Sequence, residues 1–174
     1  MSWLLLALAA AVPVVALSVP TSDLNGSLFA GIMRTSYPAH PRLILTPSRI
    51  DALKQEVSSN EEAFFFFNGT YQQASYLLQV PPFPVPRPNS TGDARYALQR
   101  IYSLSIMWAL TLNETWAARA MEEVLVVAAW PCFDVPCGEA QLNSGEALHA
   151  LAVALDWLYD YMSTSQRATI IKCV

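Results

Sequence analysis

An all-α fold is predicted for this 174-residue chain. Three observations predict it: apolar side chains recur at helical spacing, prolines and glycines gather between the apolar stretches, and helix-capping residues stand at their heads.

The first element precedes the fold. Residues 4–17 form an apolar run interrupted only by Pro13, with no charged side chain ahead of it and a polar stretch behind. That is the profile of a secretory signal peptide. A membrane-spanning helix takes roughly 18 to 20 apolar residues, and Ala16 and Ser18 are the small residues a signal peptidase requires. Cleavage after Ser18 is expected. An uncleaved anchor is the alternative, because a basic amino-terminal region is missing; both readings put the remainder outside the cytoplasm. The domain reading is therefore a signal peptide at 1–18, an irregular segment at 19–39 and a helical domain at 40–174.

Export is supported by sequons at Asn25, Asn68, Asn89 and Asn113, none with proline in the middle position. Asn113 reads equally as a helix N-cap. Cys132 and Cys137 flank Phe-Asp-Val-Pro, a loop short enough to close as a disulfide in an oxidising compartment. A zinc site would need further ligands, and only His149 is near downstream, so no metal is expected. Cys173 is left over, either as a free buried thiol or with a partner beyond the end of this sequence.

Thr46 and Pro47 open the first helix as cap and first residue, and Ile50, Leu53 and Val57 come next at helical spacing. A second helical stretch carries residues 64–67 and 71–78, with a break expected at Gly69. Pro81-Pro82-Phe83-Pro84-Val85-Pro86-Arg87-Pro88 reads as an extended surface loop, since proline fixes φ and donates no hydrogen bond.

Three helices come after the loop. Residues 93–112 present Ala97, Leu98, Ile101, Leu104, Trp108 and Leu112 on one face. Residues 114–129 bury Trp116, Ala120, Val124 and Val127, with Arg119, Glu122 and Glu123 expected in water. Residues 144–162 pack Leu148, Leu151, Ala152, Leu155, Leu158 and Tyr159. Ser163-Thr164-Ser165-Gln166 is then a capping box for a helix from Gln166, expected to be still running at Val174. With no stop signal there and an unpaired cysteine, the chain reads as truncated.

The chemistry is sparse. There is no phosphate-binding glycine loop, nucleophile elbow or histidine pair at metal-ligand spacing, and no cofactor is expected. A net charge of −4 with scattered basic residues argues against nucleic acid. His40 and His149 read first as structural, His40 through a hydrogen bond to backbone. Glu146, His149, Asp156 and Asp160 fall within about 80° of one helix face. That stripe is either a solvated surface or a substrate-facing one that could hydrogen-bond sugar hydroxyls.

His40-Pro41-Arg42-Leu43 ahead of the first helix, the proline-rich interruption, and Asp156-Trp157-Leu158-Tyr159 leading into Met162-Ser163-Thr164-Ser165-Gln166-Arg167 together resemble the N-terminal helical region of the heparinase II/III-like family. That family includes alginate-type lyases and dermatan sulfate epimerase. The resemblance covers residues 40–174 and implies an incomplete α/α toroid of antiparallel helical hairpins from an enzyme of acidic polysaccharides. The family's asparagine-histidine motif and catalytic tyrosine have no counterpart here, so no catalytic residue carries over. The expectation is an N-terminal fragment of a secreted lyase or uronate epimerase, inactive alone, with apolar helix faces left uncovered and no membrane contact after cleavage. Two alternatives stand beside it. One is a secreted helical module binding glycan or protein through Trp108, Trp116, Trp130 and Trp157; the other is a helical glycoside hydrolase using acids of the Glu146 stripe.

Overall fold

In the computed structural model the described residues are 36–84, 92–130 and 140–173, side chains excepted at 140–142. Among them are six helices and no β-strand: α1 Pro47–Ser59, α2 Glu61–Leu77, α3 Asp93–Thr111, α4 Glu114–Ala128, α5 Ala140–Trp157 and α6 Thr164–Ile171. Pro38–Val174 packs as one unit. The expected signal peptide, Asn25, Asn89, and the Cys132 and Cys137 pair lie outside the described residues.

Thr46 caps α1 by accepting from the Arg49 N–H, and Pro47 occupies the first turn, where its missing N–H costs nothing. A single residue makes the next corner. Asn60 donates its N–H to Glu56 at the end of α1 while its side chain accepts from Glu62 and Ala63 at the head of α2. The break expected at Gly69 does not occur, and α2 runs through it. Glycine weakens a helix interior by about 1 kcal/mol but removes no hydrogen bond, so the chain stops being helical where Asn60 caps it, not where Gly69 loosens it.

On α3, Ala97, Ile101 and Leu104 are buried as expected. Leu112 is not: it is 63% exposed, because it forms the left-handed C-cap at φ 55° and hands the chain to Asn113, the N-cap of α4. Trp116, Ala120, Val124 and Val127 of α4 are buried, but Arg119 and Glu123, expected in water, are 7% and 0% exposed.

The third expected helix starts earlier and ends earlier. α5 closes at Trp157, and turns lead on to Met162. Its deepest residues include Ala147, Ala150, Leu151, Val153 and Ala154, whereas Leu148, Ala152 and Leu155 are half-buried. Small side chains let α3 and α4 both approach it. The capping box is formed as predicted, with Ser163 as N-cap, so α6 begins at Thr164 and Gln166 is its third residue. That helix ends at Ile171 instead of running on to Val174, its C-cap Lys172 donating to Ala168 and Ile170.

Side-chain contacts fix the relative directions of α3, α4 and α5. Arg100 meets Glu123 at similar distances from the turn at Leu112 and Asn113, so α3 and α4 form an antiparallel hairpin. Along α3, Arg95 meets Glu146 while Tyr102 meets His149 and Trp157, so α3 and α5 run the same way. The main core lies between α2, α3, α4, α5 and α6. A smaller cluster of Leu45, Ile50, Ala109, Val153 and Trp157 seals α1 and its leading segment onto α3 and α5. Trp116, Trp130 and Trp157 are core residues at 5–6% exposure, and Trp108 is half-buried. No helix among the described residues is long and apolar enough to cross a membrane.

Candidate functional site

Three polar assemblies interrupt the apolar packing. The first joins the leading segment to the end of α5. Asp156 is 2% exposed. Its Oδ1 lies 2.5 Å from His40 Nδ1, and its Oδ2 accepts from the backbone N–H groups of Arg42 at 2.8 Å and Leu43 at 2.7 Å. Trp157 Nε1 donates to the Leu43 carbonyl at 2.9 Å. The His40 ring stacks on Tyr159 with centroids 3.9 Å apart, and the Arg167 guanidinium lies 4.4 Å over the same tyrosine. A carboxylate buried this deeply is tolerated because both of its oxygens are occupied by donors.

The second assembly lies inside the core. Glu123 Oε1 accepts from Arg100 Nε and Arg119 Nη2, both at 2.8 Å, and also from Arg100 Nη2. Its Oε2 accepts from the Phe83 N–H at 2.9 Å. The arginines in turn donate to carbonyls of the chain leaving α2: Arg119 to Leu77 and Val80, each at 2.9 Å, and Arg100 to Pro81 at 2.6 Å. The last carbonyls of a helix have no partner within it, and prolines supply no donor to neighbours. In Pro81-Pro82-Phe83-Pro84 the single N–H is that of Phe83, and Glu123 takes it. This cluster anchors the start of the proline-rich stretch, whose residues 85–88 lie outside the described residues, and is structural.

The third assembly is open to solvent. A cavity of about 540 Å³ is lined by Gln73, Leu98, Gln99, Tyr102, Ser103 and His149. Beside it, a hollow of about 240 Å³ shares Gln73 and Ser103 and adds Phe65, Phe66, Gly69 and Thr70. The Tyr102 hydroxyl and His149 Nε2 are 2.9 Å apart. Burial holds the Tyr102 phenol above its ordinary pKa, because the phenolate is the form that loses hydration. At neutral pH the phenol is therefore a hydrogen-bonding group and a poor base. Among the described residues the polar groups lining the groove are amides, hydroxyls and an imidazole, set among the apolar side chains of Leu98, Phe65 and Phe66, with no carboxylate or ammonium.

The predicted stripe is divided among these places. His149 faces the groove, and Glu146 accepts from Arg95 Nε and Nη2 at 2.8 and 2.6 Å on the same side of α5. Asp156 belongs instead to the buried joint, and Asp160 is exposed in the turn beyond the helix. The stripe breaks because α5 ends at Trp157 and because the leading segment covers its last turn. His40, expected to bond backbone, bonds the Asp156 carboxylate. Of the expected sequons, Asn68 is exposed within α2, while Asn113 is exposed and caps α4 through Oδ1. Cys173 is a free thiol, half-buried, donating toward the carbonyls of Ala128 and Thr169 at 3.4 Å.

Arg100 and Tyr102 were not singled out by sequence, and Arg119 and Glu123 were read only as solvent-facing. A signal was present for Glu123, which lies seven residues after Trp116 and so falls inside the apolar stripe of α4. Among the described residues no three His, Cys, Asp or Glu side chains converge as a metal site requires.

Compared with known proteins, no family model matches this chain, and no curated protein matches it.

Proposed function

We propose that this chain is the N-terminal helical part of a secreted lyase or uronate epimerase acting on acidic polysaccharide, with its helices belonging to an α/α toroid. In this reading it supplies scaffold, and the catalytic groups lie elsewhere in the enzyme. The supporting observation is the Asp156 joint. Two of the stretches that carry the resemblance, residues 40–43 and 156–159, are far apart in sequence and meet through a carboxylate holding an imidazole and two backbone N–H groups.

The chemistry of that enzyme class explains the assignment of roles. Removing the C5 proton of a uronate requires a group that neutralises its carboxylate, a base, and, for elimination, an acid for the leaving oxygen. The groove around Tyr102 offers a protonated phenol and, among the described residues, no lining cation, so it fits saccharide contact better than proton abstraction.

The test is to sequence the transcript past the codon for Val174, express the encoded polypeptide and incubate it with uronate polysaccharides. A lyase gives an unsaturated uronate that absorbs in the ultraviolet; an epimerase exchanges the C5 proton with solvent deuterium without new absorbance. New reducing ends without unsaturation would replace this reading with hydrolysis. A second reading, a glycan-binding module without catalysis, is favoured by Phe65 and Phe66, 71% and 63% exposed beside the groove. Saturable binding of an oligosaccharide with no product of any kind would select it.

A further inference from the structure

The exposed flank of α2 carries Phe64, Phe65 and Phe66 at 54%, 71% and 63% exposure. Three consecutive phenylalanines in water are a costly surface, and nothing among the described residues covers them. The same helix contains Asn68-Gly69-Thr70, an acceptor sequence for N-linked sugar.

Helix geometry relates the two features. Phe64 and Phe65 lie four and three residues before Asn68, so they flank it on one face, and Phe65 also borders, together with Phe66, the hollow beside the groove. Side chains on a helix lean toward its N-terminus, which carries the Asn68 amide over the turn holding Phe64 and Phe65. Asn68 is exposed, and a Cβ added at Gly69 would meet nothing within 4 Å, so there is room beside it for a bulky substituent.

We propose that Asn68 carries an N-linked glycan whose first sugar packs its C–H face on Phe64 and Phe65 and shields that flank of α2. The proposal rests on the secretory reading above. The donor is a lipid-pyrophosphate-linked oligosaccharide supplied by the secretory pathway. Asn68 Nδ2 bonds to the anomeric carbon as the anomeric carbon–oxygen bond breaks; the lipid pyrophosphate leaves with the electron pair, and one amide proton is lost. The carbonyl oxygen stays free in such a linkage, so Asn113 can be glycosylated while its Oδ1 continues to accept from Thr115 N–H at 3.0 Å. Asn113 is thus an internal reporter of passage through the secretory route.

The experiment is expression of the whole chain in secreting eukaryotic cells, with site occupancy read by mass spectrometry after enzymatic deglycosylation in heavy-oxygen water. Sugar on both Asn68 and Asn113 is expected. Asn68→Gln and Thr70→Ala are each expected to lose one glycan in mass, to gain fluorescence of a hydrophobic dye and to self-associate on sizing, while Thr70→Ser keeps the glycan and the monomer. Thr115→Ala, which spares the Asn113 cap, loses its glycan without the dye response. Adding Phe64→Gln and Phe65→Gln to Asn68→Gln is expected to abolish that response, which ties it to these rings and not to misfolding. Sugar on Asn113 with Asn68 bare overturns the proposal and leaves the secretory reading standing. Neither site occupied overturns both. Occupancy of Asn68 with no dye response on its removal overturns the shielding role.

Discussion

Glu123 and Asp156 each hold a non-helical stretch against the helices, but their partners differ. Glu123 gathers two guanidinium groups and one N–H, and the guanidinium groups then reach the carbonyls of the departing chain. Asp156 grips the chain directly, through two backbone N–H groups and His40. The first joint is closed inside the core; at the second the gripped residues Arg42 and Leu43 are exposed. Losing each carboxylate therefore has a different consequence: uncompensated buried cations in one case, N–H groups that water can reach in the other.

The largest effect should come from Glu123→Ala, which leaves Arg100 and Arg119 buried without an anion. About 3–5 kcal/mol of stability should be lost, read from urea unfolding. Replacing all three side chains together by Leu or Met is expected to restore only part of it, because the carbonyls of Leu77, Val80 and Pro81 would lose their donors. Full recovery would mean that the two joints work alike.

Asp156→Ala should cost less, about 1–3 kcal/mol, since water replaces part of what is lost. Its signature is local: protease cleavage within residues 38–45 should speed up while amide exchange in α3 and α4 stays slow. Global unfolding with the same loss as Glu123→Ala would erase the contrast.

A smaller effect tests the helix that the Glu123 joint terminates. Gly69→Ala should stabilise by about 0.5–1 kcal/mol in thermal unfolding, because the residue is inside a continuous helix and its Cβ meets nothing. A loss of stability would bring back the break at Gly69.

The smallest concerns the open contact between Tyr102 and His149. The fold favours the protonated phenol, so that contribution to stability is present below the ordinary tyrosine range and is lost as pH rises through the elevated folded value. In an ultraviolet titration Tyr102 should ionise late among the tyrosines, and Tyr102→Phe should remove that late component.

Much of this architecture was legible because helix ends are local. Thr46 with Pro47, Asn113, and Ser163 with Gln166 each satisfy orphan N–H groups within one turn of chain, and all three caps form as read. Gly69 was misread by giving propensity the weight of a cap. Leu112 was misread because a left-handed C-cap filled by leucine has no marker in the sequence.

Local chemistry thus determined where α1, α3 and α4 start, which stretches are helical, and the apolar stripes of α3 and α4. Tertiary structure alone decided what the polar residues do. A carboxylate written among apolar neighbours looks the same whether it faces water, as Glu122 does, or closes a loop, as Glu123 does. The choice depends on donors delivered by other segments: Arg100 and Phe83 for Glu123, and residues 40–43 for Asp156. Burying a charge is unfavourable until those donors arrive, so its fate is settled only when the helices pack.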